Sequence, residues 1–226
     1  MNEERKRFEE LQKHVLLKFE YGSAVYGTST DLSDIDIFVV VDDVIDLSDA
    51  VNGQWEFTEG RFDYQFANEK RWIEMIQDHD IRWLECYSLD KKHILYGDVD
   101  KYMQYFALDK WKMRQVCSAI ASNSWAKAHK KMVIEKDYDL YRAQKSLFHS
   151  FRILMFAAQI GEFGKIVDFE EANHWWDEIN SMGEVSWDKY KERFKPIENQ
   201  LRSIMVTKCP KPEGYKAENQ QKKKKA

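Results

Sequence analysis

The sequence predicts an α+β fold: a mixed β-sheet core with helices, followed by an all-helical C-terminal domain. Apolar runs of strand length, separated by turns that contain glycine, occur in the first part of the chain. From Asp98 onward these strand signals vanish, and helical periodicity takes their place. We therefore expect an α/β core over 1–97, a helical domain over 98–207 and a disordered, Lys-rich tail over 208–226.

The N-terminal half begins with a charged segment whose Phe8 and Leu11 share one helical face. The strand over 34–41 is apolar on both faces toward its end, which is typical of a central, buried strand. Glu59-Gly60 separates two further apolar runs and indicates a hairpin. In chain order we expect a helix over 2–13, strands over 15–21, 34–41, 54–57 and 62–66, and a helix over 68–77, whereas the segment 81–89 fits a strand or a helix.

Helical patterns in the C-terminal half cover roughly 98–136, 138–160, 169–182 and 186–206. Pro210, Pro212 and Gly214 then end the predicted ordered region. The run Gln-Gln-Lys-Lys-Lys-Lys over 220–225 is either an electrostatic arm for nucleic acid or a solubilising tail.

Composition limits the functional classes. The 226 residues are 43% hydrophobic and carry a formal net charge of -4, so binding to nucleic acid is possible but not indicated by charge. The three cysteines are widely separated and show neither zinc-site spacing nor a disulfide framework. The charged N-terminus is unlike a signal peptide and no long apolar run is present, so we expect a cytoplasmic protein without a membrane partner.

Two aspartates at the start of the second apolar run are the clearest functional signal. Asp34 and Asp36 are two positions apart, so on a strand they project from the same face. Neighbouring carboxylates repel each other unless a cation lies between them, and oxygen ligands favour Mg²⁺ or Mn²⁺. The preceding Gly22-Ser23 turn can offer backbone N–H groups and a hydroxyl to a phosphate. Taken alone, an Asp-x-Asp pair is more often a solvated strand end.

Together these residues resemble the nucleotidyltransferase fold of DNA polymerase beta and its relatives. That family combines a Gly-Ser turn, a gap of about ten residues, Asp-x-Asp and a third acidic residue on a later strand. Asp63 matches the third acidic residue, because it alternates with Phe62 and Tyr64 as on a half-buried strand. The sequence of residues 26–34 resembles that of a group of bacterial and phage predicted nucleotidyltransferases. It departs from that group at Asp31, where a proline is common.

The resemblance extends into the helical half. Lys145, His149 and Arg152 match a Lys-x3-His-x2-Arg helix in the same group, and they fall within roughly 60° of one another on a helix. This cationic stripe either faces the triphosphate of a nucleotide or forms an exposed basic edge with ion pairs to residues such as Asp139. Lys127 belongs to an aromatic and basic cluster on the preceding helix, which is a nucleotide or acceptor contact or, more simply, solvated surface.

The resemblance implies an enzyme that moves a nucleoside monophosphate from an NTP such as ATP to a hydroxyl and releases pyrophosphate. It implies two Mg²⁺ or Mn²⁺ ions held by the catalytic residues Asp34, Asp36 and Asp63. It also implies a nucleotide and phosphate site made by Gly22, Ser23, Ser33, Lys145, His149 and Arg152. The acceptor stays open between a protein side chain, an RNA end and a small hydroxylated molecule. The competing class is a non-catalytic nucleotide-binding or antitoxin-like partner protein.

Overall fold

The computed structural model describes residues 3–214, and for residue 135 the backbone alone. The Lys-rich run over 220–225 lies outside the described residues, and so does most of the predicted tail. The helical half extends slightly past 207, since its last helix ends at Lys208 and Cys209 is fully buried.

The described chain forms one five-stranded sheet and seven α-helices. The N-terminal elements are α1 (Glu3–Leu11), β1 (Val15–Tyr21), β2 (Ile35–Val41), β3 (Gln54–Glu59), β4 (Phe62–Asn68), α2 (Glu69–Gln77), α3 (Ile81–Cys86) and β5 (Ile94–Tyr96). The C-terminal elements are α4 (Lys110–Val133), α5 (Leu140–Phe163), α6 (Asn173–Ser181) and α7 (Trp187–Lys208). The strand order is β3-β4-β2-β1-β5, with β2 and β4 parallel and the other pairs antiparallel. This mixed sheet followed by helices confirms the predicted α+β class.

Strand β2 is central because both of its faces are covered. Phe38 and Val40 belong to the larger apolar cluster, whereas Val39 and Val41 belong to a smaller cluster under α1. Side chains alternate along a strand, so Asp36 projects toward the same side as Phe38 and Val40. That side of the sheet is the one on which the helical half packs.

The larger cluster joins both halves of the chain. Phe38 stacks on Phe19 with ring centroids 5.4 Å apart and lies 5.1 Å from Trp72. Tyr26, just after β1, lies 5.8 Å from Phe156 of α5, and both side chains are buried in this cluster. Helix α5 packs against α4, α6 and α7. A continuous core therefore holds α5 against the sheet, while the division of the chain at 97 and 98 stays a prediction.

The helix predicted over 98–136 is wrong in its first part. Residues Asp100–Tyr105 form a 3-10 turn, and α4 begins only at Lys110. The Asp109 carboxylate accepts hydrogen bonds from the backbone N–H groups of Trp111 and Lys112 at 2.8 and 3.0 Å, which fixes this start. The ambiguous segment after 81 is helical, and its first turn is capped by Asp80 in the same way.

The edge strand β5 was not predicted. It has only three residues, Ile94–Tyr96, which is too short for an alternating pattern to stand out. Within residues 3–214, no helix is both long enough and apolar enough to cross a membrane.

Candidate active site

The turn after β1 places the backbone of Gly22 in close contact with the Asp36 carboxylate. Gly22 has a φ of +74°, a left-handed conformation that favours glycine. A Cβ atom at this position would overlap the Asp36 carboxylate. The turn is closed by hydrogen bonds from the N–H groups of Val25 and Tyr26 to the Gly22 carbonyl, at 3.1 and 3.2 Å. Glycine is therefore required where the Gly-Ser turn passes over Asp36.

Strand register brings two of the predicted carboxylates side by side. Asp36 on β2 is paired with Asp63 on the parallel strand β4, so both side chains project from the same face. Burial, followed by the charges of Asp63 and Asp34, raises the pKa of Asp36 to about 6, while Lys145 and Arg152 act in the opposite direction. Asp63 and Asp34 thus both act on the charge of Asp36. Asp34 lies just before β2, which begins at Ile35, so its position on the same face as Asp36 stays a prediction.

This donor set suits a hard divalent cation. It is made of carboxylate oxygens. Burial is the main cause of the raised pKa of Asp36, and the repulsion by Asp63 and Asp34 that adds to it is what a bound Mg²⁺ or Mn²⁺ would offset. Among residues 3–214, no three acidic, histidine or cysteine side chains converge into a ready-made metal cage. Asp63 instead accepts a hydrogen bond from the Thr58 hydroxyl at 2.7 Å. The fit therefore rests on the Asp36–Asp63 pair with Asp34 nearby, and the role of these residues as ligands stays a prediction.

A first cavity of about 230 Å³ is bordered by the Gly-Ser turn, by Asp36 and by α5. All residues expected from the sequence to bind nucleotide or phosphate line it: Gly22, Ser23, Ser33, Lys145, His149 and Arg152. Ser33 also organises the loop before β2, since its hydroxyl accepts a hydrogen bond from the Thr30 N–H at 2.9 Å. The structure thus brings together residues that lie more than a hundred positions apart in the sequence.

The cationic stripe on α5 needs one correction. Burial, followed by the charges of Arg152 and Lys127, lowers the pKa of His149 to about 3, so this imidazole is neutral at physiological pH. An Arg152 guanidinium nitrogen lies 2.9 Å from His149 Nδ1, and a guanidinium can only donate. His149 Nδ1 is therefore an acceptor and the ring proton is on Nε2. The cations of the stripe are Lys145 and Arg152 alone.

Arg152 is held by a buried network that the sequence did not predict. Its guanidinium lies 3.7 Å from the centre of the Tyr26 ring, and the side chain is almost fully buried. Tyr26 in turn donates a hydrogen bond of 2.8 Å to the buried Glu85 carboxylate. Burial raises the pKa of Glu85 to about 7, against the opposing effects of Arg152 and the Tyr26 hydrogen bond. The available signal was an acidic residue among the apolar positions of α3.

A second cavity of about 590 Å³ adjoins the first. The two share a wall made by Tyr141, Lys145, His149 and Arg152. Asp34 borders the second cavity and Asp36 borders the first, so the Asp-x-Asp pair lies where they meet. Lys127, Arg142, Ser124 and Ser146 complete the lining of the second cavity. Asp63 lines neither.

Comparison with protein families finds one match, in the N-terminal part of the chain. Residues 1–100 match the model of the nucleotidyltransferase domain. The match confirms the sequence resemblance and the enzyme class that it implied. It covers β1, the Gly-Ser turn, all three aspartates and Glu85, whereas the α5 residues lie outside it.

Two solved structures share low similarity with the chain. One is a nucleotidyltransferase-like protein from Exiguobacterium sibiricum, with 14% identity and a TM-score of 0.31, covering 90% of this chain and 73% of that one. The other is a spectinomycin adenyltransferase from Enterococcus faecialis, solved with ATP and spectinomycin, with 13% identity, a TM-score of 0.42 and coverage of 90% and 98%. A search of curated proteins finds no match.

Replacing Gly22 tests the close approach to Asp36. We expect Gly22→Ala to lower the free energy of unfolding by more than about 2 kcal/mol and to abolish nucleotide binding, because strain at positive φ adds to overlap with the carboxylate. Gly60→Ala is the matched control, since its φ is +62° and nothing lies near its added Cβ. Denaturant unfolding and calorimetry with an ATP analogue measure both effects. Equal destabilisation of the two variants would contradict a steric requirement at Gly22.

Removing the ionisable group of Glu85 tests the buried network. A raised carboxyl pKa means that the folded state binds the proton more tightly than the unfolded state does. The contribution of protonated Glu85 to the free energy of unfolding is therefore complete at pH values below the ordinary pKa of a glutamate. That contribution falls as the pH rises from about 4.3 to about 7, by up to about 3 kcal/mol. Glu85→Gln should lack this loss. Unfolding free energies of the two proteins at pH 5 and pH 8 measure it, and parallel pH profiles would contradict the raised pKa.

Proposed function

We propose that the protein transfers a nucleoside monophosphate from an NTP to a hydroxyl acceptor, with release of pyrophosphate. The observation that carries this proposal is one cavity bordered by the Gly-Ser turn, by Asp36 and by two cations of α5. The nucleotidyltransferase domain match over residues 1–100 supports the reaction class. Phosphoryl transfer needs mainly positioning and charge neutralisation, and this cavity offers both.

The Gly-Ser turn and α5 would hold the triphosphate from two sides. Backbone N–H groups of the turn and the Ser23 hydroxyl can donate hydrogen bonds to phosphate oxygens. The turn also lies directly beside Asp36, so a bound phosphate would lie next to this carboxylate. Lys145 and Arg152 add positive charge on the opposite wall, and both act electrostatically on Asp36. Neutral His149 holds the Arg152 guanidinium through its Nδ1 atom. Donor and acceptor groups of this cavity therefore match an anionic nucleotide.

Asp36 and Asp63, with Asp34 at the mouth of the second cavity, would hold Mg²⁺ or Mn²⁺. Bound there, two such ions would stabilise the attacking and leaving oxygens of an in-line displacement. The parallel pairing of β2 with β4 sets Asp63 on the side of Asp36 away from the Gly-Ser turn, which follows β1. This arrangement supports a role for the turn on the pyrophosphate side of the reaction, with Asp63 on the other side of Asp36.

The reaction class can be tested with labelled nucleotides. Each NTP, labelled in turn at the α- and the γ-phosphate, is incubated with the protein, Mg²⁺ or Mn²⁺ and cell extract. We expect label from the α-position to appear in an acceptor while γ-label appears only in pyrophosphate. Transfer of γ-label would indicate a kinase, and binding of NTP without any transfer would favour the non-catalytic nucleotide-binding class.

Asp36→Asn should lower the transfer rate by at least about a thousandfold, because it removes one charge from the metal-binding pair while keeping the side-chain shape. Asp31→Asn is the control, since Asp31 is exposed in the preceding loop and lines neither cavity. Its rate should stay within about twofold of the wild-type protein, as expected for a surface substitution. A fully active Asp36→Asn protein would refute the carboxylate assignment.

Lys145 tests the phosphate-binding wall without disturbing the core, because its side chain is exposed. Lys145→Met should weaken NTP binding about ten- to a hundredfold and NMP binding much less, if the ammonium contacts the β- or γ-phosphate. Lys189→Met on α7 is the control, since its side chain is 68% exposed and borders neither cavity. Calorimetry with both nucleotides separates the cases. Equal weakening would move Lys145 to the base, sugar or α-phosphate.

A further inference from the structure

The second cavity is strongly cationic in a protein that is acidic as a whole. Four side chains with positive charge line it, namely Lys127, Arg142, Lys145 and Arg152, and Asp34 is its one acidic residue. The chain carries a formal net charge of -4. Neutral His149 contributes no charge to this wall. The positive charge is therefore a local property of this cavity, which is what a site for an anion requires.

The cations of this cavity are only partly balanced by neighbouring carboxylates. Among the side chains that the structure describes, which leave out that of residue 135, no carboxylate forms an ion pair with Lys127 or Lys145. Arg142 lies 3.4 Å from Asp139, but its side chain remains 68% exposed. Lys127 is close enough to the shared wall to lower the pKa of His149. The charged groups of Lys127, Lys145 and Arg142 are thus available to a ligand that enters the cavity.

The second cavity adjoins the nucleotide site but does not include the Gly-Ser turn. Asp34 lines the second cavity, whereas Asp36 lines the first. In an in-line displacement, the attacking hydroxyl and the leaving pyrophosphate lie on opposite sides of the transferred phosphorus. If the triphosphate lies along the Gly-Ser turn, the acceptor must approach from a side that the turn does not occupy. The second cavity provides such a side, and its volume of about 590 Å³ is typical of a small-molecule or cofactor site.

We propose that the second cavity binds the acceptor, and that this acceptor carries phosphate next to its reactive hydroxyl. The inference rests on the proposed function and narrows its acceptor. Lys127 and Arg142 would bind the acceptor phosphate, with Ser124 and Ser146 as neutral hydrogen-bonding groups on the same lining. In the transfer, the acceptor oxygen forms a bond to the α-phosphorus, the bond to pyrophosphate breaks and the hydroxyl proton leaves to solvent or a base. An RNA end and a phosphorylated small molecule both have this chemistry, whereas a neutral hydroxylated compound does not.

Equilibrium binding of two probes tests the proposal without requiring turnover. One probe is a short single-stranded RNA with a 3′-deoxy end, and the other is ribose 5-phosphate, with ribose as its uncharged counterpart. Binding is measured with Mg²⁺ and a non-hydrolysable ATP analogue present. We expect at least one phosphate probe to bind and ribose to bind far more weakly. Which phosphate probe binds distinguishes a nucleic-acid end from a small phosphorylated molecule.

Charge reversals locate the site. Lys127→Glu and Arg142→Glu should each lower the affinity for the phosphate probe that binds by at least about tenfold, as expected for a lost charge-assisted contact. For RNA, each should also reduce the salt slope by about 0.7 per lost phosphate contact. Lys189→Glu, which borders neither cavity, is the control with the same change of charge. Thermal unfolding of all three variants confirms that they fold.

Three results would overturn the inference. These are no binding of either phosphate probe, equal binding by the charge-reversed and wild-type proteins, or a tenfold loss of ATP-analogue affinity in Lys127→Glu and Arg142→Glu. The last result would assign the cavity to the donor triphosphate. Failure of the proposed function looks different, because the wild-type protein would then bind a phosphate probe normally but transfer no α-label.

Discussion

The candidate site depends on one close approach, that of the Gly22 backbone to the Asp36 carboxylate. It arises because Tyr21, the last residue of β1, is paired with Asp36 near the start of β2. The chain must turn there, and it turns across the carboxylate at a positive φ. Ordinary antiparallel pairing thereby places side by side the turn that we propose to bind phosphate and the carboxylate that we propose to bind metal. The parallel pairing of β2 with β4 then adds Asp63 on the other side.

The sheet face that carries Asp36 and Asp63 is the face on which the helical half packs. Asp36 and Asp63 share parity with Phe38 and Ala67, which are buried in the cluster that includes α5. The helix that closes the core over this face, α5, therefore also borders the cavity that Asp36 lines. Because Arg152 is buried between Tyr26 and His149, its guanidinium is fixed by packing as well as by charge. The stability of this region and the geometry of the site are consequently coupled through the same residues.

Much of this arrangement could be predicted from the sequence because it follows from local rules. The apolar run of β2 predicted a central strand, and the family resemblance pointed to Asp63 as the third carboxylate. The register that pairs Asp36 with Asp63 is visible only in the structure. The spacing of Lys145, His149 and Arg152 placed them together on a helix, and all three line the first cavity. The charge of His149 could not be predicted in this way, because it depends on burial beside Arg152 and Lys127. The partner of Glu85 could not be predicted either, since Tyr26 is 59 positions away in the sequence.

A crystal structure with Mn²⁺ and an NTP analogue whose bond between the α- and β-phosphates cannot be cleaved would show directly whether Asp36 and the Gly-Ser turn form the nucleotide site. We expect anomalous density for Mn²⁺ between the carboxylates of Asp36 and Asp63. The β- and γ-phosphates should lie against the Gly22-Ser23 turn and face Lys145. Nucleotide bound elsewhere, or Mn²⁺ bound without contact to either aspartate, would contradict the account.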